Sequence, residues 1–331
     1  MLALSQADAV LAPLAGKGDV LLAVSGGPDS VALMLLAAAW GAGKARVSVA
    51  TVDHGLREGS ASEAATVGYW ASELGLGHSV LKWSGAKPAT RIQEAARAAR
   101  YQLLCEHARH IGATGIVTAH HADDQAETIL FRLTKGSGVS GLAGMRALVR
   151  RGSICQWRPL LEFPKTELVG LCQSAGHPFF DDPSNRNEKF ARTGLRRLAR
   201  LLEAEGLDRE ALLRLGRRAG RAEAALAAIA QKYAADWNAE RSAGALTADG
   251  RLLARIPAEI ALRLLEAEVL AVTGSQQPLR LERLERALAK MLAALAEGAS
   301  LSTSLGGALL RLDRAARLHI MPEPPRRRGR V

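Results

Sequence analysis

Short apolar runs alternate with stretches of helical period through the first half of the chain. Val20–Val24, Val47–Asp53, His78–Trp83 and Gly115–Ala119 read as strands. Each is followed by apolar positions three and four apart, over Ser30–Ala39, Ser60–Leu74, Thr90–Ile111 and Asp123–Lys135. This alternation predicts an α/β fold with a doubly wound, mainly parallel sheet of Rossmann-like type. From about Phe190 the pattern changes to long helical stretches, over residues 196–202, 208–235, 257–271 and 279–295. Residues 299–320 read as short strands turning at Gly306-Gly307. The expected organisation is a catalytic domain over 1–190, a connecting helix over 191–206, a mainly α-helical domain with a small β-rich end over 207–321, and a tail over 322–331.

Composition narrows the setting. The 331 residues are 48% hydrophobic, an ordinary globular balance with enough chain for two domains. Apolar runs stop well short of a membrane span, so no membrane partner is expected. The N-terminus lacks a basic region and reads as an amphipathic helix instead of a signal peptide. Cys105, Cys155 and Cys172 are too few and scattered for a disulfide framework, which points to a reducing cytoplasm. The net charge of +11 is uneven. Residues 1–190 carry 19 Lys/Arg against 17 Asp/Glu, while residues 191–331 carry 25 against 16, and most of that excess is arginine. Guanidinium groups suit phosphate, so a nucleic-acid partner fits the second half.

In a doubly wound sheet, ligands bind beyond the carboxyl ends of the strands. Three polar clusters fall there: Ser25-Gly26-Gly27-Pro28-Asp29-Ser30 after the first strand, Asp53-His54-Gly55-Leu56-Arg57 after the second, and His120-His121-Ala122-Asp123-Asp124 after the fourth. In the first, two glycines allow close approach to a ligand, and the helix opening near Pro28 points free N–H groups into the loop. Ser25 and Ser30 add hydroxyls, so the element suits pyrophosphate. Asp29 is informative, because a carboxylate beside phosphates requires an intervening cation, with Mg²⁺ the expected ion. Asp124, on the neighbouring strand-end loop, is the candidate to share it.

SGGPDS after an apolar strand resembles the loop of the PP-loop (N-type ATP pyrophosphatase) superfamily, and no GK[ST] of a Walker loop occurs. VDHGLR (52–57), AARAARY (95–101), AHHADDQAET (119–128), GSGVSGLAGM (136–145), RPLL (158–161) and DPSN (182–185) occur together and in order. That set is similar to the tRNA(Ile)-lysidine synthetase family, over roughly residues 18–200. The resemblance implies a two-step reaction. ATP adenylates the C2 oxygen of the wobble cytidine in an isoleucine tRNA with a CAU anticodon, and free L-lysine then displaces AMP through its side-chain amine. It implies ATP contacts by residues 25–30 and by Asp53, His54 and His120, with Mg²⁺ on Asp29 and Asp124. It also implies transition-state arginines, either Arg97 or Arg100 on the fourth strand's preceding helix, and Arg192 after DPSN. Here the family's Arg-Asn pair after DPSN is replaced by Arg192-Thr193, with Arg196 following.

Other readings carry less. Gly136–Gly141 matches GxGxxG but follows a helix, so an RNA-facing loop fits better than a dinucleotide turn. The His-His-Ala-Asp-Asp run lacks the CxxC that a zinc deaminase needs, and one histidine is expected to pack structurally. Cys105 and Cys172 read as core cysteines. A tRNA thiolase is disfavoured by the missing CxxC, and a non-catalytic RNA-binding protein by the intact Asp29, Ser30 and Asp124. A homodimer is left open.

Overall fold

The computed structural model describes residues 2–40, 44–56, 59–85, 87–88, 90–181, 198, 201–237, 239–242, 244–275 and 277–324. The chain divides into two compact units, residues 1–135 with 144–216, and residues 136–143 with 217–331. The division falls within the long helix Arg209–Asp236.

The first unit is built on a six-stranded sheet in the order β3-β2-β1-β4-β6-β5. Its strands are β1 (Val20–Ala23), β2 (Val47–Asp53), β3 (Gly77–Lys82), β4 (Gly115–Thr118), β5 (Leu148–Arg151) and β6 (Ile154–Trp157). All pairings are parallel except β5 against β6. The helices are α1 (Ala7–Leu11), α2 (Pro28–Trp40), α3 (Ser60–Glu73), α4 (Ile92–His110), α5 (Ala122–Thr134) and α7 (Lys165–Ser174); the short α6 (Val139–Leu142) groups with the second unit.

The central strand explains why both faces are covered. Val20 and Leu22 point to a core shared with α1, α2, α3 and α7, while Leu21 points to a second core with Tyr101, Leu104 and Ala108 of α4. Period-two alternation puts apolar residues on both faces, so β1 reads as a continuous apolar run. Each leucine buried there contributes about 1.5–3 kcal/mol relative to exposure. A third cluster packs Ala126, Ile129 and Leu130 of α5 against Leu212.

The four strands and four helices expected from the pattern all form, giving the doubly wound sheet. The hairpin β5–β6 is additional. Its strands are four residues each, and Arg150-Arg151 at the end of β5 followed by the Gly152-Ser153 turn breaks the hydrophobic pattern. Cys172 is fully buried as expected, and Cys105 is partly buried, packed against the core that holds Leu21, Tyr101 and Leu104.

The second unit carries the helices Ala258–Thr273 and Leu281–Glu297 and an antiparallel sheet in the order β7-β8-β11-β10-β9. Its strands are β7 (Glu240–Ser242), β8 (Ala245–Asp249), β9 (Leu301–Leu305), β10 (Ala308–Leu312) and β11 (Arg317–Pro322). Leu265, Val269, Leu288 and Met291 pack on Leu246, Leu310, Leu318 and Ile320. Gly306 and Gly307 have φ of 59° and 88°, the paired positive values of a tight hairpin turn. β7 and β8 extend the expected β-rich end. Among the described residues, no helix is long and apolar enough to cross a membrane.

Candidate active site

Strand order reverses at β1, since the chain runs outward through β2 and β3 and then returns to β4 on the other side. The crevice beyond the carboxyl ends of β1 and β4 is the switch point where such sheets bind ligands. Ser25–Ser30 enters it from β1 and His120–Asp124 from β4.

The first loop is held tightly. Gly26 has φ of 86°, and a Cβ there would lie 2.4 Å from a ring carbon of Phe180. The Phe180 N–H donates to the Gly26 carbonyl at 2.8 Å, fixing the loop from outside. Ser30 donates its hydroxyl to the Gly27 carbonyl at 2.9 Å and accepts the Ser25 N–H at 3.2 Å. α2 starts at Pro28, so the first-turn N–H groups face the loop. The face of Gly27 is open: a Cβ there would meet nothing nearer than the Ser25 hydroxyl, 3.9 Å away.

At the second loop His121 caps α5, and its backbone N–H donates to an Asp124 oxygen at 3.2 Å. The His121 ring lies among three carboxylates. Nε2 is 3.5 Å from Asp29 Oδ2 and from Asp124 Oδ2, and Nδ1 is 3.5 Å from Asp123 Oδ2. Burial opposes a charge on this ring, but Asp123, Asp29 and Asp124 outweigh it and push its pKa up to about 10. The contact with His121 holds the Asp123 carboxyl well below the usual range, with help from the Lys165 backbone N–H and Arg209. Burial pushes Asp124 upward, and the like charges of Asp29 and Glu127 add to it against the pull of His121. Asp29 Oδ1 is buried with no hydrogen-bond partner.

The adjacent histidine has the opposite surroundings. His120 Nδ1 is 2.9 Å from the Thr118 hydroxyl. Burial, then the positive charges of Arg158, Arg100 and Arg97, push its pKa down to about 3. Those arginines gather around Tyr101, with the Arg97 and Arg100 guanidiniums each 5.3 Å from its ring centroid. Arg158 is buried and donates to the Arg146 carbonyl at 2.6 Å. One end of the crevice is therefore acidic and the other cationic, an arrangement suited to a metal-bound polyphosphate whose charge shifts during reaction.

Residues 3–202 match the family model for the PP-loop domain. The chain is 52% identical over 314 residues to the tRNA(Ile)-lysidine synthase of Methylobacterium sp. (strain 4-46), covering 94% of this chain and 91% of that one. It is 49% identical to the enzyme of the same name from Methylobacterium nodulans, over 94% and 92% of the two chains. The chain belongs to the tRNA(Ile)-lysidine synthase family. Among solved structures it resembles the U34-tRNA thiolase NcsA from Methanococcus maripaludis, with a TM-score of 0.53 and 15% identity over 65% of this chain and 76% of that one. That likeness bears on the fold alone.

Within this synthase fold, residues 25–30 span the β1–α2 loop and the first turn of α2, and Asp29 and Asp124 meet across His121 Nε2. Asp53 uses Oδ1 to accept the Gly55 N–H at 2.9 Å and the Ser60 hydroxyl at 2.8 Å, so it shapes its own loop. His54 stands edge-on to Trp83 at 5.9 Å, and burial followed by Arg100 lowers its pKa. Arg192 and DPSN lie outside the described residues. Within the Gly136–Gly141 segment, expected as an RNA-facing loop, Val139 opens the short α6 (Val139–Leu142), and the segment groups with the second unit.

Sequence reasoning misses several participants. It assigns an ATP contact to His120 and gives His121 no task. Lys165, whose Nζ lies 4.0 Å from Asp29 Oδ2, and Arg209, 3.3 Å from Asp123, stand in no motif. Gln156 is fully buried and donates to the Tyr101 and Thr118 hydroxyls at 3.2 and 3.1 Å. Nothing in one sequence marks these residues. Arg158 has a signal, since it opens the RPLL motif.

Proposed function

We infer that this chain ligates L-lysine to C2 of the wobble cytidine of a CAU-anticodon isoleucine tRNA, consuming ATP to AMP and pyrophosphate. The single observation that carries the reading is the meeting of Asp29 and Asp124 at the β1–β4 switch point, opposite the arginines of α4. The family supports ATP use and the tRNA(Ile) substrate.

In the first step the cytidine C2 oxygen attacks the α-phosphorus of ATP, the α–β anhydride bond breaks, and pyrophosphate leaves. In the second, the lysine side-chain amine attacks C2, the C2–O bond breaks with AMP leaving, and the amine loses a proton. The Gly27 face and first-turn N–H groups of α2 would cradle the departing pyrophosphate. The unpartnered Asp29 Oδ1 and the adjacent Asp124 fit a Mg²⁺ ion, which would neutralise phosphate charge when bound. Arg97 or Arg100 would offset the charge that develops on the α-phosphate, with Arg192 acting from the segment after DPSN. Neutral His120, held by Thr118, keeps one ring nitrogen available to the nucleotide.

Phosphate contacts supply affinity, and base contacts supply identity. The arginine-rich residues 207–321 would hold the tRNA body while the wobble base, already in a loop, is splayed into the crevice. The reaction is placed in the cytoplasm, where tRNA, ATP and free lysine coexist. The test is incubation of the protein with ATP, Mg²⁺ and total tRNA, with and without lysine. AMP formation that needs both tRNA and lysine is expected; AMP formation indifferent to lysine would refute the reading.

A further inference from the structure

Along one flank of α4 runs an open groove of about 510 Å³, lined by Glu94, Arg97, Tyr101, Cys105, Arg109 and, from β5, Arg151. The α4 residues recur every three or four positions, so they form one helix face. From Arg97 to Arg109 this face is about 18 Å long, at about 1.5 Å of rise per residue. Gln156 bonds both Tyr101 in the groove and Thr118, whose hydroxyl contacts His120, so the groove begins beside the active-site crevice.

Its cationic side chains are held from beneath. The Arg151 guanidinium lies 3.9 Å from the Tyr101 ring centroid, and its Nε donates to Gln156 Oε1 at 2.7 Å. The Gln156 amide donates in turn to Tyr101 and Thr118, so its polar atoms are all engaged below the groove. Among the described residues, none of Arg97, Arg109 and Arg151 forms an ion pair with a carboxylate, and Glu94 is the one acid in the lining. Uncompensated like charges in one groove repel each other, and an anion relieves that repulsion. Guanidinium groups strung along a line suit successive phosphates of a chain, whereas a single small anion would need them to converge.

We propose that the α4–β5 groove binds the sugar-phosphate backbone of the RNA next to the nucleotide that enters the crevice, with Arg97, Arg151 and Arg109 on phosphates. This rests on the RNA-modifying function inferred above. It adds an RNA contact in the first unit to the expected one in residues 207–321.

The experiment uses the full chain carrying Arg109→Gln or, separately, Ala98→Glu, two exposed positions that sit outside the ATP crevice. Filter binding of total tRNA is measured against salt, and ATP affinity in parallel. For Arg109→Gln, tRNA affinity should fall about three- to tenfold and the log–log salt slope should drop by about 1, with ATP affinity unchanged. Ala98→Glu should weaken tRNA binding further by placing a carboxylate in the groove. Wild-type tRNA affinity and salt slope in both variants would overturn the proposal, as would a parallel loss of ATP affinity, which would make the groove structural. Lysine-dependent AMP formation by the unaltered chain is read separately. Its absence would refute the inferred function, whereas its presence with unchanged tRNA binding in the variants would refute the groove alone.

Discussion

His120 and His121 are neighbours in sequence, share one strand-end loop, and are driven in opposite directions. His121 looks toward Asp29, Asp123 and Asp124 and holds a proton up to a pKa of about 10. His120 looks toward Arg158, Arg100 and Arg97 and stays neutral down to about 3. The identical side chain is a cation in one place and a neutral ring in the next, so burial alone does not decide charge; the sign of the surrounding groups does. The contrast divides the crevice into a carboxylate side, where a cation and pyrophosphate belong, and a guanidinium side, where negative charge on the reacting phosphate belongs.

The sharpest way to break that division is Asp29→Asn, which keeps shape and removes the charge. Lysine-dependent AMP formation should fall by at least about a hundredfold with folding preserved, and its Mg²⁺ requirement should rise. Ordinary activity at ordinary Mg²⁺ would remove the carboxylate side from the mechanism. On the guanidinium side, Arg100→Met should cost about ten- to a hundredfold in turnover and leave the Mg²⁺ dependence as it was. A shifted Mg²⁺ dependence in that variant would merge the two sides into one.

The pH response separates the histidines thermodynamically. His120 has a folded pKa of about 3, below the unfolded value of 6.5. As pH falls below about 6.5 the unfolded chain takes up a proton that the folded chain refuses, so stability declines until about pH 3. His120→Gln should make that decline shallower by up to about 1.4 kcal/mol per pH unit, read from urea unfolding between pH 4 and 7. Equal slopes would mean that His120 is charged in the folded chain. The smallest effect is expected at Lys165, a half-exposed amine 4.0 Å from Asp29. Lys165→Met should change activity less than about fivefold, because exposed pairs contribute about 0–1 kcal/mol.

Much of this layout is readable in the sequence. Alternation of period two and period 3.6 marks β1–β4 and the helices after them, because β1 buries Val20, Leu21 and Leu22 on both faces. Asp29 and Asp124 can be paired from sequence alone, since both follow strands of a parallel sheet and must reach the same rim. The hairpin β5–β6 is not legible, because four-residue strands around a Gly152-Ser153 turn, one of them ending in Arg150-Arg151, leave no period to detect. Nor is the difference between His120 and His121, which depends on arginines from α4 and Arg158, up to 38 residues away in sequence. Gln156 lies further out of reach, because its importance comes from total burial and saturated hydrogen bonding, properties of the assembled core.

The most direct test follows radiolabelled lysine. The protein is incubated with ATP, Mg²⁺, labelled lysine and an isoleucine tRNA transcript bearing a CAU anticodon, and the tRNA is digested to nucleosides. The expected result is label bound to the wobble cytidine, with AMP, pyrophosphate and bound lysine formed in equal amounts. AMP and pyrophosphate released without labelled cytidine, or label attached without ATP, would contradict the proposed reaction.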